Sequence, residues 1–249
     1  MLSRQPFLSI IVPVLNEAEI IRAFLNHLRT NAPGTEIIVV DGGSADETVA
    51  VCQGFADRVL QAPRGRATQM NAGAAIARGE VLWFLHADSR LPTGATAGIE
   101  QALANSQTVG GCFRLRFPRA KLIYRVSDSI GNIGVEIFGI ALGDHGIFCR
   151  REVFERVGGH PYVPLLEDAE IYRRLRRCGR MRQLRAEIET SPRAYEAHGP
   201  YRTTAFYFFL LVLYVAGVPI RFLHRMYQFF MHPTQSPETG AEVASASVA

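Results

Sequence analysis

Apolar residues in the first third of the chain gather into short unbroken runs, each closed by polar residues. Val81-Leu82-Trp83-Phe84-Leu85 shows no alternation, which predicts a strand buried on both faces at the centre of a parallel sheet. Leu8-Ser9-Ile10-Ile11-Val12-Pro13-Val14 and Glu36-Ile37-Ile38-Val39-Val40 are rich in β-branched residues and predict two more strands. After the first, Asn16 with Glu19 three residues on predicts a capped helix start. Ile20, Ile21, Phe24, Leu25 and Leu28 then form one apolar helical stripe, ended by Asn31-Ala32-Pro33-Gly34. After the second strand, Asp41-Gly42-Gly43-Ser44 turns into a helix beginning near residues 45–47. Two βα units in a row imply a parallel sheet with right-handed crossovers, so Asp41 and Asp88 should face one cleft at the carboxyl edge of the strands. Ligands of open α/β sheets bind at that edge. Asp88 could hold a metal or a substrate hydroxyl there, or cap the turn that follows.

The pattern further along is less regular. Residues 58–60 predict a short third strand, and Arg64 and Arg66 lie in the loop before a small-residue helix over 67–77 that carries Asn71. Guanidinium groups there would suit a diphosphate, or simply be solvated. A helix is predicted over 91–104, and 110–117 alternates apolar and basic residues as a strand with one wet face would. Residues 120–142 read as a loop and helix region, 143–151 as a return to a short strand, and 152–157 as a helix. Glu167, Asp168 and Glu170 open the next helix, where acids ordinarily complement the dipole. The arginines between 173 and 185 read as a solvated face, with contact to anionic lipid as the minority alternative.

Residues 205–220 form the strongest apolar run, yet fall short of the roughly 20 residues that a spanning helix needs. The run is flanked by Arg202, Arg221, His224 and Arg225. It should lie in a membrane interface or pack on the rest of the chain. The expected organisation is an α/β domain over 1–200, an apolar helical segment over 201–232, and a disordered tail over 233–249.

Composition narrows the classes. The net charge of +4 makes no demand for nucleic acid, and Lys121 is the single lysine among the cations. Cys52, Cys112, Cys149 and Cys178 form no CxxC pair, which argues against zinc and a disulfide framework and fits a reducing compartment. No apolar h-region follows Met1, so the expected location is the cytoplasm or the inner face of the cell membrane. No GxGxxG follows the first strand, which excludes the dinucleotide fingerprint.

Taken in order, several segments resemble the family-2 glycosyltransferases of the GT-A fold. They are residues 9–17, Val40-Asp41-Gly42-Gly43-Ser44 with Asp46-Glu47-Thr48, residues 65–73 with Asn71, and Gly79-Glu80 leading to Phe84-Leu85-His86-Ala87-Asp88. The resemblance covers residues 9–227 and implies a Rossmann-like, mainly parallel sheet flanked by helices. It implies a nucleotide-diphosphate sugar site with Pro13, Glu17 and Asp41 around base and ribose. Gly42, Arg66, Asn71 and Asp144 are carried as further substrate-binding positions.

Asp88 matches the last acid of the metal-binding DxD motif, implying Mn²⁺ or Mg²⁺, while His86 stands where that motif opens with an acid. The Glu167-Asp168 pair matches the one that contains the catalytic base, assigned to Asp168. His198 is the candidate for a late metal-binding histidine, or a structural one. Segments 85–92, 143–144, 166–168 and 217–219 resemble a bacterial subgroup labelled as arsenosugar-biosynthesis glycosyltransferases. The implied activity is inverting transfer to an acceptor hydroxyl, with a lipid-like acceptor in view. The alternative, prompted by His86, is a non-catalytic nucleotide-sugar-binding protein at a membrane.

Overall fold

The computed structural model describes residues 6–117 and 121–231. The tail beyond Pro233, expected to be disordered, lies outside them.

Seven strands form one mixed sheet: β1 (Leu8–Val14), β2 (Glu36–Asp41), β3 (Arg58–Gln61), β4 (Val81–Phe84), β5 (Thr108–Arg116), β6 (Phe148–Arg150) and β7 (Arg180–Glu189). Their order is β3-β2-β1-β4-β6-β5-β7. The first four are mutually parallel, β6 runs antiparallel to both β4 and β5, and β7 is parallel to β5.

The two-residue period of the strands divides the core between the faces of the sheet. Ile10, Val12, Ile37, Val39, Trp83 and Leu85 pack on one side against Ile21, Phe24, Leu25 and Leu28 of α1 (Ala18–Asn31). Cys52 of α2 (Thr48–Cys52) and Ile99 of α4 (Ala95–Leu103) complete that layer. Ile11, Ile38, Val40, Leu82 and Phe84 pack on the other side. They meet Met70 and Ala74 of α3 (Arg66–Ile76), Phe154 of α6 (Arg151–Arg156), and Ile171 and Leu175 of α7 (Glu167–Cys178). Every residue of β4 is buried, as its unbroken apolar run predicted. Gly73 lets α3 lie close on β1, because a Cβ there would stand 2.6 Å from Ile11 Cγ2.

The carboxyl ends of β1, β2 and β4 lie on one edge of the sheet, where Asp41 and Asp88 were expected. Gln69 ties that edge together by donating from Nε2 to the carbonyls of Val14 and Val40.

Some local expectations are corrected. Asn16 is not the helix cap: α1 starts at Ala18 behind Glu17, with no side-chain cap bond. Asn16 instead takes a left-handed conformation (φ 55) and accepts from the Ala45 amide, joining the loops after β1 and β2. Asp46 and Ser44 accept from the amides of Ala18 and Asn16, so residues 44–46 stay in a loop and α2 begins only at Thr48. The helix expected from residue 91 starts at Ala95, after Gly94 in the left-handed region. β5 is buried through Phe113, and only its end keeps the expected alternation, with Arg114 exposed and Arg116 half-buried around the buried Leu115. β7, whose arginines were read only as part of a solvated face, is the edge of the sheet, where charged side chains are common and alternation is weak.

Residues 121–142 are mainly helical. α5 (Leu122–Ile133) continues as a π-helical turn (Gly134–Phe138). Asn132 fastens it to β5 by bonding both backbone groups of Leu115.

The apolar run near the C-terminus forms a hairpin of α9 (Pro200–Val215) and α10 (Ile220–Met231), broken at Gly217-Val218-Pro219. Its inner side packs on the sheet domain, with Leu210, Tyr214 and Leu223 buried beside Ile140 and Ala169. Phe206 stacks on Phe230 at 3.8 Å between ring centroids. Its outer side stays apolar and open, with Tyr201, Phe208, Phe209, Val212, Val215, Phe222 and Phe229 exposed. Among the described residues no helix is long and apolar enough to cross a membrane.

Candidate active site

Past the end of β4 the chain delivers His86 and Asp88. The His86 ring Nδ1 is 3.0 Å from Asp144 Oδ1, which comes from a 3₁₀ turn (Gly143–His145). Gly143 fits between the ring and Asp168. A Cβ on Gly143 would stand 2.5 Å from both His86 Nε2 and Asp168 Oδ2, so only a glycine lets this backbone pack so closely against the two side chains. Neither His86 Nε2 nor Asp168 Oδ1 has a hydrogen-bond partner, although both are buried. The first lies against Gly143 and the second on the His160 side, 4.0 Å from its Nδ1, and buried polar atoms left unpaired are costly unless something binds them.

Asp168 sits in the first turn of α7, 4% exposed, behind Leu166 in a left-handed conformation (φ 63) that a non-glycine residue rarely adopts. Burial first, then the negative charges of Glu167 and Asp144, push its carboxyl up to about 7 against the opposing pull of His86 and Arg66. A carboxylate of that proton affinity is suited to accept a proton near neutral pH. Glu167, also buried, has Arg66 Nη1 at 3.9 Å from its Oε1. His160 lies 4.0 Å from Asp168 Oδ1, edge-on to Phe84 and Phe154. Burial holds its ring down to about 3, so it stays neutral.

The electrostatics around His86 follow from its pairing. Burial would depress the ring, but the Asp144 bond and charge, with Asp168, outweigh both burial and Arg66 and hold it above its ordinary value. Burial likewise raises Asp144, and the His86 bond and charge, with Arg66 and His145, overcome it and hold Asp144 below its ordinary value. Asp88 is raised by burial and then by the Asp144 charge, with His86 and Arg193 opposing. Asp88 and Asp144 therefore feel one another as neighbouring carboxylates. Two hard oxygen donors of this kind fit Mg²⁺ or Mn²⁺ when a diphosphate supplies further oxygens. Among the described residues, no three His, Cys, Asp or Glu side chains are grouped so as to hold a metal ion unaided.

The other residues singled out in the sequence fall in two groups. Pro13 is half-buried near the end of β1, and Glu17 lies just beyond that strand, 3.4 Å from Arg193. Asp41 is fully buried, and its carboxylate accepts from the Gly43 and Ser44 amides and the Ser44 hydroxyl, which fixes the loop after β2. Gly42 lies against the Gln69 amide, whereas Gly43 (φ 91) faces open space. Asn71 uses both ends of its amide on the His160 backbone, bracing the segment that carries His160. His198 ends α8 (Arg193–His198), with its ring 6.1 Å from that of Phe230.

The sequence reading missed His160 and Arg193. Neither belongs to a local pattern: His160 follows two glycines in a loop, and Arg193 reaches the site from far along the chain. His160 had one available signal, its place a few residues before the Glu167-Asp168 pair.

A sheet of this topology, with carboxylates and a proton acceptor converging on the carboxyl edge of its strands, defines a GT-A-type α/β protein. The family model described as Glycosyl transferase family 2 matches residues 9–157, and the chain belongs to that family of glycosyltransferases. The chain is 37% identical over 94 residues to a PGL/p-HBAD biosynthesis glycosyltransferase of Mycobacterium bovis, covering 34% of this chain and 37% of the relative. It is 28% identical over 177 residues to glycosyltransferase AglE of Haloferax volcanii, covering 65% of this chain and 58% of that one. The match thus spans little more than a third of the mycobacterial relative and under two thirds of the haloarchaeal one.

Among solved structures, the mannosyltransferase PcManGT from Pyrobaculum calidifontis, in complex with GDP-Man and Mn²⁺, aligns with TM-score 0.66 at 18% identity, over 92% of this chain and 70% of that one. Glucosyl-3-phosphoglycerate synthase from Mycobacterium tuberculosis, in complex with Mn²⁺, UDP and glucosyl-3-phosphoglycerate, aligns with TM-score 0.58 at 16% identity, over 85% and 80%. At these identities the two structures support the fold.

Proposed function

We propose that this glycosyltransferase moves a sugar from a nucleotide-diphosphate sugar to an acceptor hydroxyl with inversion at the anomeric carbon. The observation that carries the reading is the buried Asp168, raised to about 7, with its Oδ2 packed at Gly143 beside the His86 ring. Asp168 takes the proton of the acceptor hydroxyl as attack proceeds. Gly143 lets the backbone lie close against Asp168 and His86, with the neutral His160 ring beside the carboxyl and the strained Leu166 setting the turn into its helix. Arg66, beside Glu167, contributes positive charge at the leaving-group side.

Asp88, with Asp144 near it, would hold a divalent cation, Mn²⁺ or Mg²⁺, and that ion when bound neutralises charge on the departing diphosphate. Pro13, Glu17 and the loop of Asp41, Gly42 and Gly43 frame the space proposed for base and ribose. His198 as a metal ligand would require its ring to leave Phe230. Neighbouring folds in complex with GDP-Man or UDP support a nucleotide-sugar donor here. The arsenosugar subgroup label finds no echo in the relatives described above, and the acceptor proposed is defined only as a hydroxyl compound, lipid-like if the apolar outer side of α9 and α10 rests on a bilayer.

Thermal shift with GDP, UDP and their sugars, with and without Mn²⁺, tests the donor site, because a ligand that binds only the native state raises its stability. Wild type should be stabilised by one nucleotide in a Mn²⁺-dependent way, and Asp88→Ala should lose that dependence while keeping its own unfolding temperature. Unchanged metal-dependent stabilisation in the variant sinks the assignment of Asp88.

A further inference from the structure

Glu17 and Asp88 follow different strands, and one guanidinium serves both. Arg193 Nη2 stands 3.4 Å from Glu17 Oε2 and 3.9 Å from Asp88 Oδ2. We propose that Arg193 is a built-in counter-cation of the donor site: it occupies Asp88 while no donor is bound, and passes to the donor's diphosphate when a divalent cation takes the carboxylate. This rests on the reading of Asp88 as a metal ligand.

Three observations carry the inference. The site is rich in negative charge, since Asp144 acts on Asp88, and Asp88 and Asp46 act on Glu17. A cation between Glu17 and Asp88 relieves that repulsion in the ligand-free protein. Its hold is weak. The guanidinium side chain is 52% exposed and reaches each acid through one nitrogen at a long distance, without the paired fork that makes arginine–carboxylate contacts strong. The base of the side chain is anchored, however. Two residues on, Tyr195 packs edge-on against Phe117, Tyr124 and Tyr207, so α8 is pinned to the residue after β5, to α5 and to α9 while the Arg193 head can swing.

A divalent cation on the same Asp88 oxygen would repel the guanidinium. The displaced group carries five N–H donors in a fork that matches phosphate oxygens. As the described residues group no three metal-ligating side chains, the metal needs the diphosphate's oxygens, and the freed arginine needs them too. Metal and nucleotide then bind far better together than apart, with Arg193 as the positioning residue that couples them.

Isothermal titration of the full chain with Mn²⁺ alone, and with GDP or UDP at saturating Mn²⁺, tests this in wild type, Arg193→Ala, Arg193→Gln and Asp88→Asn. Both Arg193 variants should bind Mn²⁺ alone about two- to fivefold tighter, because a competing exposed ion pair is gone. They should bind the nucleotide in Mn²⁺ about ten- to a hundredfold more weakly, because a charge-assisted contact to phosphate is lost. A merely structural role would weaken both. Mn²⁺ binding that is unchanged, weaker or absent in both Arg193 variants overturns the proposal, provided that Asp88→Asn lowers Mn²⁺ binding or nucleotide binding in Mn²⁺. If Asp88→Asn changes neither, the metal assignment itself fails, and the Arg193 inference fails with it.

Discussion

Asp168→Asn should make the protein inactive and more stable at once. The amide keeps the shape of the carboxyl and cannot accept the acceptor's proton, so kcat should fall at least about a hundredfold, the usual scale for a lost general base. Donor affinity should hold, since the donor-side residues Glu17 and Asp88 lie on other elements. The stability effect follows from the same burial. Wild-type Asp168 carries a proton affinity raised from its ordinary value to about 7 by desolvation and by Glu167, so the native state binds the proton more tightly than the unfolded chain does. Stability from this group is therefore fully present below about pH 4 and is lost as pH rises through about 7. Full ionisation would cost up to about 4 kcal/mol, with half of that a fair expectation once the surroundings relax. The asparagine is free of this loss. Urea unfolding of both proteins at pH 4.5 and pH 8, combined with initial-rate and nucleotide-binding measurements, gives the test. The variant should gain on wild type by about 2 kcal/mol between the two pH values, and wild-type kcat/KM should rise through about pH 7. An asparagine variant with no pH-dependent gain, or one that loses nucleotide binding with its rate, would refute the assignment of Asp168 as a buried base.

Gly143→Ala places a methyl 2.5 Å from both His86 Nε2 and Asp168 Oδ2, so it should lower kcat by at least about tenfold and destabilise the fold by about 1–3 kcal/mol, read by steady-state rates and denaturation. Phe208→Glu with Phe209→Glu changes side chains that are about half exposed, so stability should move by under about 1 kcal/mol while sedimentation with vesicles containing anionic lipid is lost. Equal vesicle binding by this variant and wild type would remove the outer side of α9 from any membrane role.

Much of the donor half was legible because burial on both faces leaves an unmistakable trace. The runs ending at Val14, Val40 and Leu85 are apolar on both faces of the pleat over nearly all their length, and their ends placed Asp41 and Asp88 on one edge. The acceptor half was obscure for physical reasons. β7 is an edge strand whose side chains alternate poorly because one of its flanks meets solvent, and α5 mixes buried Tyr124, Ser127 and Asn132 with exposed Leu122, Val126 and Ile133, which blurs its stripe. The hairpin of α9 and α10 showed its length and break, but not that Phe206 and Leu213 pack inward while Phe209 stays open. That packing argues against removing Tyr201 to Ala249 as a clean way to separate membrane contact from donor binding, since Ile140 and Ala169 would be uncovered. Asn16 misled because an asparagine two residues before a helix can bond across to another loop as readily as it caps. Side chains that meet only in space, such as His160 beside Asp168 or Arg193 beside Glu17, leave no periodic trace.

The central claim is inverting transfer from a nucleotide sugar, and the configuration of the released sugar tests it most directly. Incubation of the full chain with Mn²⁺ and an α-linked donor, GDP-mannose or UDP-glucose, with water standing in as the acceptor hydroxyl, followed by proton NMR of the anomeric region from the first minutes, reads the released sugar before it mutarotates. The account predicts that the β-anomer is first to appear, with Asp168→Asn silent under the same conditions. An α-anomer appearing first, or a rate that survives in Asp168→Asn, would contradict it.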